Sequence, residues 1–97
     1  MEEIPLDLSR HCVETEAKIA YEKMLKQAMK TGGEGPAAEA VERLREFLET
    51  ADFAALRAAD PVLAGKTGGA AVLGTVSGGF VVRVGEREFP VPRIRRG

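Results

Sequence analysis

The sequence is poor in the residues from which most catalytic and metal sites are built. It contains one cysteine, Cys12, and one histidine, His11, and it has no tryptophan. A single cysteine excludes an intramolecular disulfide. One cysteine with one histidine also falls short of the several ligands that a structural zinc site needs. We therefore expect neither a metal ion nor a cofactor.

Long apolar runs and a strong net charge are missing as well. No segment approaches the roughly 18–20 apolar residues that span a membrane, so no membrane association is expected. The formal net charge is −1, and the charge of the whole molecule thus gives no reason to expect nucleic acid. The first seven residues lack the basic and apolar regions of a secretory signal. These features together predict a cytoplasmic protein.

What remains is the composition of one small folded domain. The 97 residues include 44% hydrophobic and 30% charged side chains, which is ordinary for a globular domain, and we expect a single domain over residues 1–97. Charge divides the chain, because residues 1–65 carry a net charge of −5 and residues 66–97 carry +4. This asymmetry indicates either an interaction surface or attraction between two parts of one fold.

Apolar side chains in residues 9–65 recur at the three- and four-residue steps of amphipathic helices. A first helix is expected over residues 9–30. A second is expected over residues 36–49, because Pro36 suits a first helical turn, and the short link makes the two helices an antiparallel hairpin. A brief third helix should follow, capped by Asp52.

The residues from 70 to 92 have the composition of β-strands separated by turns. They predict a C-terminal three-stranded antiparallel meander with strands over 71–76, 80–84 and 87–91. A two-residue turn at Gly85 places Val82 opposite Phe89 and Arg83 opposite Glu88. The fold class is therefore α+β, with a helical hairpin and a short third helix before the sheet.

Glycine and proline add two local expectations for this sheet. Gly74 lies inside the first predicted strand, where glycine often marks a bulge or a close approach to the backbone. Pro90 and Pro92 have no backbone N–H to donate, so the last strand should lie at an edge. Residues 93–97 follow this strand as a basic tail.

Three helices on one side leave the other face of the sheet open. We expect this face to show Val72, Val76, Val81 and Pro90 beside Arg83 and Glu88. An apolar face of this kind is usually covered, either by the N-terminal segment Ile4–Leu6 or by a second subunit. The sequence favours a homodimer.

The leading hypothesis for function is a small non-enzymatic protein-interaction or accessory module, acting as a homodimer, on another protein, or both. Its support is mostly negative, since no catalytic constellation is visible. The candidate surface combines the open sheet face at Arg83 with the edge formed by Phe89, Pro90, Val91 and Pro92.

A weak nucleic-acid-binding protein is the first alternative. Its contacts would come from the basic C-terminal part, namely Lys66, Arg87, Arg93, Arg95 and Arg96. Arginine suits phosphate because its guanidinium is planar and bidentate, but three charges in the tail are too few for tight binding. A basic tail that only solubilises the chain and protects an edge strand explains the same residues.

A thiol-based enzyme or redox sensor is the second alternative. Cys12 lies near the start of the first predicted helix, where the helix dipole lowers the pKa of a thiol. A small, half-buried side chain explains the same residue. Gly65–Thr67 resembles the end of a phosphate-binding loop, but Asp60 stands where that loop needs a glycine.

Overall fold

A computed structural model describes residues 3–59, 63, 68–75 and 78–94 of the chain. Within these residues the chain forms three helices and four strands. The strands make one antiparallel sheet in the order β1-β2-β3-β4, which confirms the α+β class. In chain order the elements are β1 (Glu3–Asp7), α1 (Val13–Lys30), α2 (Pro36–Thr50), α3 (Phe53–Ala59), β2 (Gly69–Gly74), β3 (Phe80–Val84) and β4 (Arg87–Pro90).

The N-terminal segment adds a fourth strand to the three that the sequence predicts. In β1, Ile4 lies opposite Val72 and Leu6 lies opposite Ala70. Exposed and buried side chains alternate along β1, as they do in a strand with one buried face. The segment therefore extends the sheet beside β2 and does not cover the open face.

The predicted β3–β4 hairpin is confirmed in its register. Val82 pairs with Phe89 and Arg83 pairs with Glu88, and Gly85 adopts a positive φ of 61° in the turn. The pattern continues past β4, since the Val91 N–H donates to the Phe80 carbonyl at 3.0 Å.

The prediction that Val72 lies on the open face is wrong. Val72 pairs with Ile4 on one side and with Val82 on the other, and its side chain is fully buried beneath the helices. Strand β2 is central and apolar from Ala70 to Leu73, so its sequence does not alternate, and the pattern does not reveal which side chains face the helices. Val76 lies outside the described residues.

Helix α1 begins at Val13, later than predicted, because β1 and the turn after it occupy residues 3–12. Cys12 takes the N-cap position, and its carbonyl accepts the Glu16 N–H at 3.0 Å. Asp52 caps α3 as expected, since its Oδ1 accepts the Ala55 N–H at 3.0 Å.

The core lies between the helices and one face of the sheet, and Phe47 of α2 is at its centre. The ring of Phe47 is fully buried. It meets the rings of Phe53 and Phe80 edge-on, with centroids 5.3 Å and 5.4 Å away. Such pairs add about 0.5–1.5 kcal/mol each beyond the burial of area. Phe47 therefore joins α2 to both α3 and the sheet.

The segment after β4 is attached to the junction of α2 and α3. The Asp52 N–H donates to the Pro92 carbonyl at 2.9 Å, and the Ile94 N–H donates to the Thr50 carbonyl at 2.7 Å. Arg93 and Ala51 form a β-bridge between these bonds. The first two residues of the predicted tail, Arg93 and Ile94, thus contact the rest of the domain, and residues 95–97 lie outside the described part.

Candidate functional site

Arg83 occupies the middle of the open sheet face. Its guanidinium contacts the carboxylate of Glu3, which lies two strands away. In the register, Arg83 pairs with Ala71 and Glu3 pairs with Leu73. The ion pair therefore crosses β2 above these two residues, which are only 6% and 3% exposed.

This ion pair limits the apolar surface that the face offers. With Ala71 and Leu73 shielded, the accessible apolar side chains at described positions of the face are Pro5, Val81 and Pro90, of which Val81 is half-buried. Carboxylates of β1 and β4 lie on both sides of Arg83 (Glu3, Asp7 and Glu88). The face is thus a mixed surface, with one central cation among anions and a few apolar contacts.

The β4 edge is less open than the sequence suggests. The Val91 N–H donates to the Phe80 carbonyl. Hydrogen-bonded and non-hydrogen-bonded pairs alternate along two antiparallel strands, so the backbone groups of Glu88 and Pro90 point away from β3. Pro90 has no N–H to offer there. Phe89 packs its side chain against the core, and the Pro92 carbonyl already accepts a bond from Asp52.

The opposite edge of the sheet is blocked in the same way. The Leu8 N–H donates to the Gly68 carbonyl at 2.5 Å, so the same alternation turns the backbone of Pro5 outward from β1. A proline thus stands at an outward-facing position of each edge strand. Prolines at such positions hinder pairing between the edges of two molecules.

The described arginines of the nucleic-acid alternative each contact the domain itself. The guanidinium of Arg87 lies 4.9 Å from the centre of the Phe89 ring. Arg93 donates to the Glu46 carboxylate at 3.2 Å and to the Gly78 carbonyl, and its guanidinium lies 5.4 Å from the centre of the Phe80 ring. Lys66, Arg95 and Arg96 lie outside the described residues.

Cys12 is half-buried at the start of α1, and its Sγ lies 3.5 Å from Oγ1 of Thr15. Burial raises the pKa of the thiol. Hydrogen bonds from the Thr15 side chain, the Thr15 and Glu14 backbone and the Arg57 side chain outweigh this effect, so the pKa lies below its ordinary value.

The neighbouring histidine does not form a dyad with Cys12. Nδ1 of His11 lies 2.6 Å from Oε1 of Glu16, a carboxylate that is almost fully buried. In the described part of the chain, no three Cys, His, Asp or Glu side chains come together as metal ligands.

Sequence reasoning did not single out Arg43, although it did single out the glycine beside it. Arg43 extends from α2 to the end of β2, where a Cβ on Gly74 would lie 3.1 Å from Nη2 and 3.2 Å from Nε of Arg43. Gly74 therefore allows the close approach that its place in a strand predicted. A glycine inside a predicted strand indicates that another group approaches the backbone closely, but it does not identify the side chain that does so.

The chain belongs to a protein family of unknown function, whose model matches residues 1–82. An uncharacterized protein of Archaeoglobus fulgidus is 41% identical over 58 residues, which cover 57% of this chain and 68% of the relative. No solved structure matches the chain. Across residues 3–59, 63, 68–75 and 78–94, no helix has the length and apolar character needed to cross a membrane.

Proposed function

We propose that the protein is a non-enzymatic interaction module that forms a homodimer through the open face of its sheet. The observation that carries this proposal is the arrangement around Arg83. A central cation lies among carboxylates of β1 and β4, with Val81 and the two edge prolines as the apolar contacts beside it. The helices cover only the other face.

A second copy of the chain is the partner that suits this face. In a two-fold interface the same patch meets itself, so the patch must be self-complementary. A face with charges of both signs and apolar contacts between them meets this requirement. The proline at each edge disfavours association by strand pairing. Association through the open face of the sheet is therefore favoured over association through its edges.

Sedimentation velocity over a range of concentrations tests this proposal. The wild-type protein should sediment as a dimer. Val81→Lys should shift it to a monomer, because the new cation would be buried in the contact without a carboxylate partner, whereas Arg83 is paired with Glu3. Lys26→Glu, on the exposed side of α1, is the matched control and should leave the dimer intact. Urea unfolding of each variant shows that the fold is retained.

A wild-type protein that stays monomeric at every concentration would refute the homodimer. A dimer that Val81→Lys leaves unchanged would place the interface elsewhere. A cytoplasmic location is a separate prediction, and fractionation of the source cells tests it.

Nucleic-acid binding is the alternative with less support, because Arg87 and Arg93 already contact rings or carboxylates of the domain. It predicts binding that falls steeply as salt rises. Absence of binding at low salt would end it.

A further inference from the structure

The register of β3 and β4 arranges four side chains of the open face in two rows. Val81 lies directly opposite Pro90, and in the next row Arg83 lies directly opposite Glu88. Val82, which separates Val81 from Arg83, is fully buried against the helices, so both rows face outward. One row is therefore apolar, and the other holds a cation beside an anion.

Glu88 is the member of these rows that lacks a partner. Its side chain is exposed, and it makes no ion pair with any residue in the described part of the chain. Arg83 lies opposite Glu88, but its guanidinium contacts Glu3, on the far side of β2. Burial of a carboxylate is costly unless a cation pairs with it. A contact that covers this face must therefore bring a cation to Glu88.

A second copy brings this cation if the two-fold axis runs parallel to the strands, midway between β3 and β4. Two copies stacked face to face about such an axis place β3 of each over β4 of the other. Residues that are directly opposite in the register have the same height along the axis. Arg83 of one copy thus faces Glu88 of the other, and Val81 faces Pro90. Stacked sheets lie about 10 Å apart, a gap that the long Arg83 and Glu88 side chains can bridge together.

The neighbouring positions of a strand-parallel axis are less favourable. An axis along β3 places Arg83 over its own copy in the partner, and an axis along β4 does the same for Glu88. Such contacts between like charges disfavour association. An axis between β2 and β3 places Arg83 over Ala71, where it meets no carboxylate of the partner. Charge complementarity therefore favours the axis between β3 and β4.

The charges of this arrangement balance within the contact. On the open face, β3 and β4 carry one arginine and one glutamate in each copy. The other two carboxylates of the face, Glu3 and Asp7, lie on β1, which is separated from β3 by β2. The Arg83 and Glu3 side chains are 37% and 45% exposed, and exposed ion pairs contribute little to stability. Arg83 can therefore turn from Glu3 to the partner's Glu88 at little cost.

We propose that the homodimer has its two-fold axis between β3 and β4, and that Arg83 of each copy binds Glu88 of the other. This inference rests on the homodimer proposed above and adds its symmetry and its specific ion pairs. The two ion pairs are identical, because a two-fold interface repeats each contact.

Charge reversal at the two positions, followed by sedimentation velocity, tests this pairing. Arg83→Glu and Glu88→Arg should each be monomeric alone, because each homodimer would bring like charges together twice. An equimolar mixture of the two variants should form a heterodimer. In that heterodimer the introduced glutamate faces the introduced arginine, and the native Glu88 of one variant faces the native Arg83 of the other. The double variant should dimerise like the wild-type protein.

Two glutamates beside Arg83 provide a milder, matched pair of variants. Glu88→Gln should weaken the dimer about tenfold, because a charged hydrogen bond becomes a neutral one. Glu3→Gln should leave the dimer intact, because Glu3 lies outside the contact. Urea unfolding of every variant shows that the fold is retained.

The outcomes separate this pairing from the homodimer itself. If the wild-type protein dimerises but the mixture stays monomeric, the pairing is wrong and the interface lies at another axis. Equal weakening by Glu88→Gln and Glu3→Gln would overturn the pairing as well. A wild-type protein that stays monomeric at every concentration would instead refute the homodimer on which the pairing rests.

Discussion

The contact between Arg43 and Gly74 gives a prediction that can be checked without any ligand. A methyl group at position 74 would lie 3.1–3.4 Å from three atoms of the guanidinium, so Gly74→Ala forces Arg43 to shift. In an Arg43→Ala background the same substitution meets no guanidinium. It should then stabilise the protein, because alanine loses less conformational entropy than glycine when the chain folds.

Gly74→Ala changes the free energy of unfolding by one amount in the wild-type background and by another in the Arg43→Ala background. The difference between these two amounts is the coupling free energy of the pair. Contacting residues show coupling of about 0.5–3 kcal/mol, and we expect about 0.5–1 kcal/mol here, because a long side chain yields more easily than a packed core. Urea unfolding of the wild-type protein, both single variants and the double variant measures it. Gly69→Ala is the matched control, since a Cβ there would meet nothing within 4 Å.

The control should be additive with Arg43→Ala and should stabilise both backgrounds by about 0.4–1 kcal/mol. Gly74→Ala should instead be less favourable when Arg43 is present. If Gly74→Ala changes stability equally in both backgrounds, the guanidinium of Arg43 does not pack on Gly74.

Three further predictions concern the core, the thiol and the sheet edges. Phe47→Leu should cost about 1–3 kcal/mol in urea unfolding, because it removes two edge-on ring contacts, and Phe47→Ala should cost about 3–5 kcal/mol; equal costs would contradict the ring geometry. The pH midpoint for modification of Cys12 by a disulfide reagent should be lower in the folded protein than in urea, and Thr15→Val should raise it; a midpoint that does not change on unfolding would remove the thiol alternative. Pro90→Thr restores an outward N–H on β4, so light scattering should show more association as concentration rises, and an unchanged signal would show that Pro90 does not protect the edge.

Local rules predicted much of the fold. The spacing of apolar residues gave α2 almost to the residue, Asp52 gave the start of α3, and Gly85 gave the register of the β3–β4 hairpin. These features depend on neighbours in sequence, which a single chain reveals. Strand β1 was missed because Pro5 and a length of five residues weaken its alternating pattern, and because its partner β2 lies more than sixty residues further along the sequence.

The candidate sites were harder to predict, because each depends on contacts between distant segments. Arg83 was singled out for its place beside Glu88, but its ion-pair partner is Glu3, on a strand that the sequence did not predict. The sequence predicts Arg93 as part of a basic tail, yet its guanidinium lies against Phe80 and Glu46. Charge spacing along the chain reveals neither partner.

The family match covers only part of the proposed dimer surface. Glu3, Pro5 and Val81 fall within residues 1–82, whereas Arg83, Glu88 and Pro90 follow the match. The substitution Val81→Lys therefore tests the surface at a position inside the matched residues, next to the arginine on which the proposal depends.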